Sequence, residues 1–486
     1  MGEVNEKMAA PDQLRRSLKI RHMGMIAIGG AIGTGLFVAS GTTISTAGPG
    51  GALLAYAAIG LVIYFIMTGL GEMATYLPIA GSFQTYASRF VDPALGFSLG
   101  WTYAVGWAIT IAGELVASAI VMKFWFPDTP ATLWNAIFLV LLFSINLIST
   151  KAFGETEFYF AGIKVVAVCT FLIVGVLLIL GVGGNSPGFS NWTVGEAPFV
   201  GGVPAVINIF LIAGYSFQGA EVVAITAGES ENPERNIPIA VRSVFFRILI
   251  FYIGAITVIG FLIPYTDPLL LRDDITDIAV SPFTLVFKSF GLSFAASVMN
   301  FVILTSILSA ANSALYCGSR MLYAMGTEGK APKALAKLNK RGVPVVAVIG
   351  MTSIGLFCFL TAVVGEGTAY IWLINCSALI GFILWGGMAL SHYRFRKGLK
   401  AQGHKIEDLK YKAKFYPIGP LFAIAMCILV IVFQDYGTFT SGNIDWGGVF
   451  VTYISVPVFL IIYFSYKIIN KTKIVSLKDM DIRKNA

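Results

Sequence analysis

The chain has 486 residues, of which 56% are hydrophobic and only 12% charged, with a formal net charge of +8. Soluble domains carry about 25% charged residues, so a water-soluble enzyme is excluded and an all-α polytopic membrane protein is expected. A basic balance can mean nucleic acid, but here the basic residues fall between apolar segments, which makes the charge topological.

Residues 1–21 are polar and basic (Arg15, Arg16, Lys19, Arg21) and read as a cytoplasmic tail. Twelve apolar blocks follow, at 23–47, 51–77, 94–123, 132–149, 158–183, 203–228, 240–263, 290–325, 344–364, 368–391, 416–434 and 447–469. Most reach the roughly 20 residues that a helix needs to cross a bilayer. The first block lacks a small-residue cleavage site and is too long for a signal peptide, so it is expected to be retained. The third and eighth are long enough to imply tilt or extension beyond the membrane.

The loops orient these blocks. With the N-terminus inside, the connections after blocks 1, 3, 5, 7, 9 and 11 lie outside and hold Asp128, Glu196, Asp267, Asp273, Asp274, Asp277, Glu366, Asp435 and Asp445. The inside connections hold Arg320, Lys330, Lys333, Lys337, Lys340 and Arg341, then Arg394, Arg396, Lys397, Lys400, Lys405, Lys410, Lys412 and Lys414. Basic residues on the inner side are what membrane insertion favours. A multi-pass protein of the bacterial plasma membrane with both termini in the cytoplasm is therefore expected.

The first block is interrupted at Ile28–Phe37, IGGAIGTGLF. Gly29, Gly30, Gly33 and Gly35 each cost about 1 kcal/mol of helix propensity relative to Ala. Broken helix at membrane depth is tolerated only where it is buried in protein or lines a wet cavity. A second interruption falls in block 6, Gly214-Tyr-Ser-Phe-Gln-Gly219, followed by Glu221 and by Gly228-Glu229-Ser230. The two are five blocks apart, so blocks 1–5 and 6–10 enter the membrane from opposite faces. Matched interruptions in two such halves point to the binding site of a secondary transporter. The expected organisation is a first five-helix repeat at 22–183 and a second, inverted, at 203–391. A basic loop at 392–415, two further helices at 416–469 and a tail at 470–486 complete it.

An unwound stretch exposes N–H groups at a helix start, which bind a carboxylate with help from the helix dipole. Gly33, Thr34 and Gly35 are the expected donors, with carbonyls near Ala31 and at Tyr215 and Ser216 accepting from an ammonium. Together they suit a zwitterion. Glycines that merely let helices approach closely are the competing reading. A dinucleotide loop is not, because no strand precedes the glycines.

Charges inside apolar blocks are costly and mark function. Glu114 lies in block 3, Lys164 in block 5 and Glu221 in block 6, while Glu72 and Glu229 lie nearer predicted cytoplasmic ends. Lys164 reads as the only cation deep in a span. It suits proton loading and release, a fixed charge in place of a metal cation, or a static salt bridge. Three readings of Glu221 stay open: proton carrier, substrate contact or cap of a broken helix. Phe217 on the second interruption suits a lid or plain packing. The five cysteines lie within apolar blocks without metal spacing and read as buried thiols. The three histidines are scattered, so neither a metal nor a cofactor is expected.

The runs IAIGGAIGTGLFVASG, GPGGALLAY, SFQGAEVVAITAGESENPERNIPIAVR, LSAANSALYCGSRMLYAMGTEGKAPK, RGVP and SHYRFRKG resemble the bacterial amino acid permeases of the amino acid–polyamine–organocation superfamily. SNWTVGEAPFVGG, IPYTDPLLLRDDITDIAVSPFTLVF and IDWGGVFVTYISVPVFLIIYF are most similar to the lysine-specific permeases within it. The resemblance implies a five-plus-five inverted repeat with two extra helices. It places the substrate carboxylate at Gly33-Thr34-Gly35 and the amino group at carbonyls around Ala31 and Tyr215–Ser216. It further implies a gating aromatic at Phe217, the family glutamate at Glu221 and the proton-coupling lysine at Lys164. Glu114 stands where relatives can carry Asp.

A lysine side chain brings a second ammonium, whose burial needs a carboxylate or several acceptors. Glu114 and Glu221 are available, with Asn300, Thr305 and Asn312 as neutral acceptors. The expected function is a lysine–proton symporter working by alternating access. A cationic amino acid exchanger and an amino-acid-binding membrane sensor are the alternatives. An enzyme is not expected, since no nucleophile–base or metal constellation is present.

Overall fold

A computed structural model describes residue 25 and residues 32–79, 81–148, 150–182, 184, 186–225, 230–270, 281–434, 436, 439 and 446–483. Gly29, Gly30, Ala31, Gly228, Glu229, the acidic run Asp273, Asp274 and Asp277, and Asp435 and Asp445 lie outside the described residues.

The elements in chain order are α1 (Gly35–Tyr76), α2 (Ser82–Phe90), α3 (Pro93–Met122), α4 (Ala131–Asn146), α5 (Thr150–Ile179), α6 (Gly202–Tyr215) and α7 (Val222–Ile225). Then come α8 (Pro233–Leu262), α9 (Pro282–Ser289), α10 (Ser293–Thr327), α11 (Val345–Val364), α12 (Glu366–Ala401), α13 (Ile418–Phe433) and α14 (Trp446–Ile469). Among the described residues, 8 helices are long and apolar enough to cross a membrane, and α4, α6 and α13 are shorter apolar helices. The first two apolar blocks share α1. They are separated by Gly48, whose φ of 74° is open to glycine but strained for other residues, and by Pro49. The carbonyl of Pro198 accepts from the N–H groups of Gly50 and Gly51 at 2.9 and 3.2 Å, satisfying donors that this break sets loose.

Burial sorts the helices into a centre and a rim. In α3, 89% of the apolar stretch is buried, and α10 and α12 pack on it. In α14 the figure is 11%. Outward-facing side chains such as Val140, Val166, Ile173, Phe301, Phe464 and Ile468 form an apolar exterior suited to lipid rather than water. All five cysteines are free thiols, four of them buried and Cys169 half-buried.

The chain after α14 is strapped back onto the bundle. Val475 donates its N–H to the carbonyl of Val91 at 2.9 Å, and Gln402 donates to the carbonyls of Leu477 and Met480. Asp92 caps α3 by accepting from the N–H of Ala94 at 2.9 Å, and also accepts from Thr472 and pairs with Lys467.

Candidate functional site

Two chain interruptions meet against the centre of α3. At the first, α1 opens on a π-helical turn, Gly35–Ala39, whose first N–H groups have no acceptor within the helix. At the second, α6 ends at Tyr215 and α7 resumes at Val222. The chain between turns through Gly219, whose φ of 93° explains a glycine there. The interruptions touch. A Cβ on Gly35 would lie 2.5 Å from the Cα of Ser216, so only glycine lets the backbones come this close.

The two are tied through one carboxylate of α3. Thr34 Oγ1 donates to Glu114 Oε1 at 2.9 Å, and the Tyr215 hydroxyl donates to the same oxygen at 3.0 Å. Glu114 Oε2 is buried with no hydrogen-bond partner among the described residues. Glu114 borders a small cavity, also lined by Gly33, Gly35, Trp107, Thr110 and Tyr215. A second small cavity shares Trp107, Thr110 and Gln218 with the first and reaches Glu221, Ser377 and Tyr103. A carboxylate thus stands in each of two adjoining, largely apolar cavities, and an ionised carboxylate buried there attracts a cation.

Most of the expected residues converge here. Gly33, Gly35, Glu114 and Tyr215 line the first cavity and Glu221 the second, while Thr34 reaches it through Glu114. Ala31 lies outside the described residues. Ser216 stands behind the first interruption, its hydroxyl 2.9 Å from that of Tyr56. Phe217 does not border either cavity. Its fully buried ring stacks on Tyr252, with centroids 4.1 Å apart. Asn312 also faces elsewhere and accepts from Asn146 at 2.7 Å, while Asn300 accepts from Thr284. Thr305 bonds its own helix at the Val302 carbonyl.

Lys164 is fully buried on α5, close enough to Glu157 and Glu114 to interact with both electrostatically. It is not the sole buried cation. Arg247 on α8 is 1% exposed and faces Glu221 and Tyr252, and Arg320 is buried over the ring of Tyr316. Arg247 lies inside the 240–263 block, and α8, which starts at Pro233, carries it at mid-helix, so the expectation of a single deep cation is corrected.

Several lining residues were not anticipated. Thr110, Gln218 and Ser377 form a hydrogen-bonded set: Thr110 and Ser377 hydroxyls are 2.6 Å apart, and Gln218 donates to the Ser377 carbonyl at 2.7 Å. Only the face that Thr110 shares with Glu114 shows in the spacing. Tyr103, Trp107, Thr110 and Glu114 recur at intervals of four, three and four, the spacing of one helix face.

The amino acid permease family model matches residues 22–479. The chain belongs to the amino acid permease family, a family of transporters and not of enzymes. It is 56% identical to the lysine-specific permease LysP of Escherichia coli (strain K12), covering 97% of each chain. Identity is 48% both to LysP of Lactococcus lactis subsp. cremoris (strain MG1363), covering 99% of this chain and 96% of that one, and to its histidine permease HisP, covering 98% and 99%. Among solved structures, the Eremococcus coleocola manganese transporter superposes with a TM-score of 0.55 over 93% of this chain and 94% of that one, at 14% identity. The fold is shared with that transporter.

Proposed function

We propose that the chain imports L-lysine together with a proton by alternating access. The lysine-specific relatives at 56% and 48% identity support the substrate. The histidine permease at the same 48% makes histidine a competitor to be tested beside lysine. In this reading twelve helices cross the bacterial plasma membrane with both termini in the cytoplasm. The first ten form two inverted five-helix repeats, whose first helices are broken at Gly33–Gly35 and at 216–221.

One observation carries the reading: the Thr34–Glu114–Tyr215 junction, where both interruptions share a carboxylate beside a cavity. The substrate carboxylate lies on the N–H groups of Gly33, Thr34 and Gly35, where the helix start favours an anion. Its amino group faces Glu114 Oε2 and the carbonyls of Ala31, Tyr215 and Ser216. The side chain runs along Trp107 toward Glu221, which takes the terminal ammonium. Lys164 carries the transported proton, and Glu221 is its second candidate. Phe217, behind the second interruption, moves with it as the gate, and Asn312 joins the site as α10 shifts.

Uptake of radiolabelled lysine into vesicles tests this. It rises with an inward proton gradient and collapses with a protonophore; uptake indifferent to both contradicts symport. Arginine, ornithine and histidine compete measurably, whereas norleucine does not. Norleucine competing as well as lysine would remove the carboxylate contact to the side chain.

A further inference from the structure

Glu157 lies one residue before the fifth apolar block of the sequence, 158–183. In the structure it is on α5 and fully buried. Burying a carboxylate costs several kcal/mol unless charge and hydrogen bonds offset it. Here a single hydroxyl, Ser309 Oγ of α10, stands 2.9 and 2.8 Å from its two oxygens. The Ser313 hydroxyl, one turn further along α10, also faces it and has no hydrogen-bond partner among the described residues. The ionisable groups packed around it are Lys164 on its own helix, Cys317 on α10 and, beyond Lys164, Glu114 on α3.

The register of α5 orders these groups. Glu157 is seven residues after Thr150 and seven before Lys164. Seven residues are about two turns and roughly 10 Å of rise, which returns both side chains to one face. With Thr150 at the cytoplasmic end, Glu114, Lys164 and Glu157 form a descending line from the cavity toward the cytoplasm. One turn lower on α5, Phe153 stacks flat on Tyr316 of α10 with centroids 3.8 Å apart.

We propose that Glu157 is the station through which the proton leaves Lys164 for the cytoplasm, an inference that rests on the proton-coupled reading above. The proton departs Lys164 Nζ, leaving a neutral amine, and arrives on a Glu157 carboxylate oxygen, leaving a neutral acid. When α5 and α10 part and the Phe153–Tyr316 stack opens, the acid releases the proton to cytoplasmic water and the carboxylate returns to Ser309. Glu157 touches no part of the substrate cavity, so it acts on coupling and not on recognition.

The test compares two modes in vesicles holding the purified full-length protein. Glu157→Gln keeps lysine counterflow, which needs no net proton movement, and loses gradient-driven accumulation by about tenfold or more. Glu157→Asp restores part of the accumulation, and the melting temperature in detergent confirms that each variant is folded. Accumulation by Glu157→Gln equal to a gradient-driven wild type overturns the inference alone. Equal loss of counterflow and accumulation in folded protein assigns Glu157 a structural role and also overturns it. A wild type indifferent to the gradient overturns the symport reading and the inference together. Should Glu157→Gln fail to fold, Ser309→Ala carries the test with the same outcomes.

Discussion

Glu72 and Glu114 are both carboxylates sunk in long apolar helices, and their surroundings differ in one respect. Glu72 is saturated. Arg396 donates to both its oxygens, the N–H of Ala413 reaches Oε2 at 2.6 Å, and His392 Nε2 lies 3.3 Å from Oε1. Glu114 has one oxygen bonded twice and the other without a partner among the described residues. Saturation holds α1, α12 and the chain before α13 together, whereas an unfilled acceptor beside a cavity is fitted to receive a cation. In a membrane protein the satisfaction of a buried charge, rather than its burial, separates fastening from function.

The contrast breaks most sharply at Glu72. Glu72→Gln leaves the Arg396 guanidinium without its counter-charge, at a cost of about 3–5 kcal/mol in stability. A large fall in melting temperature in detergent is expected, with lysine affinity unchanged in the protein that remains folded. Unchanged melting would mean that the ion pair fastens nothing. Gly35→Ala comes next. Its methyl meets the Ser216 backbone at 2.5 Å, and overpacking of this kind costs roughly 1–3 kcal/mol. Uptake is expected to fall by about ten- to a hundredfold; wild-type uptake would show that the interruptions need not touch.

The smallest effect concerns the C-terminal strap. Burial alone would raise the carboxyl of Asp92, but Lys467, the N–H of Ala94 and Thr472 outweigh it and hold it below the usual range. A carboxyl lowered by folding stabilises above its unfolded pKa, and the contribution is lost as pH falls through the folded value. Asp92→Asn is therefore expected to expose residues 470–483 to protease at neutral pH, while the wild-type strap loosens only on strong acidification. Equal cleavage of both proteins at neutral pH would refute this anchoring.

What the sequence makes legible follows from cost. Four glycines in an apolar span, or a carboxylate such as Glu114 in one, violate the expected composition and so announce themselves. Thr110, Gln218 and Ser377 do not, because neutral polar residues in membrane helices can satisfy themselves on their own backbone. Glu157 falls at a block edge, where hydropathy fades before the helix ends, whereas Arg247 lies inside the 240–263 block. Phe217 was marked by its place on the second interruption, yet position along the chain does not say which way a ring points. Its stack on Tyr252 is a tertiary fact.

The junction at Glu114 is tested most directly by equilibrium binding of labelled lysine to purified Glu114→Gln beside wild type. The substitution keeps size and one acceptor oxygen for Thr34 and Tyr215, and removes the charge and the second acceptor. A melting temperature close to wild type with affinity reduced about a hundredfold, roughly 2.8 kcal/mol, is the expected result. Wild-type affinity in folded Glu114→Gln would contradict the assignment of this carboxylate to the substrate.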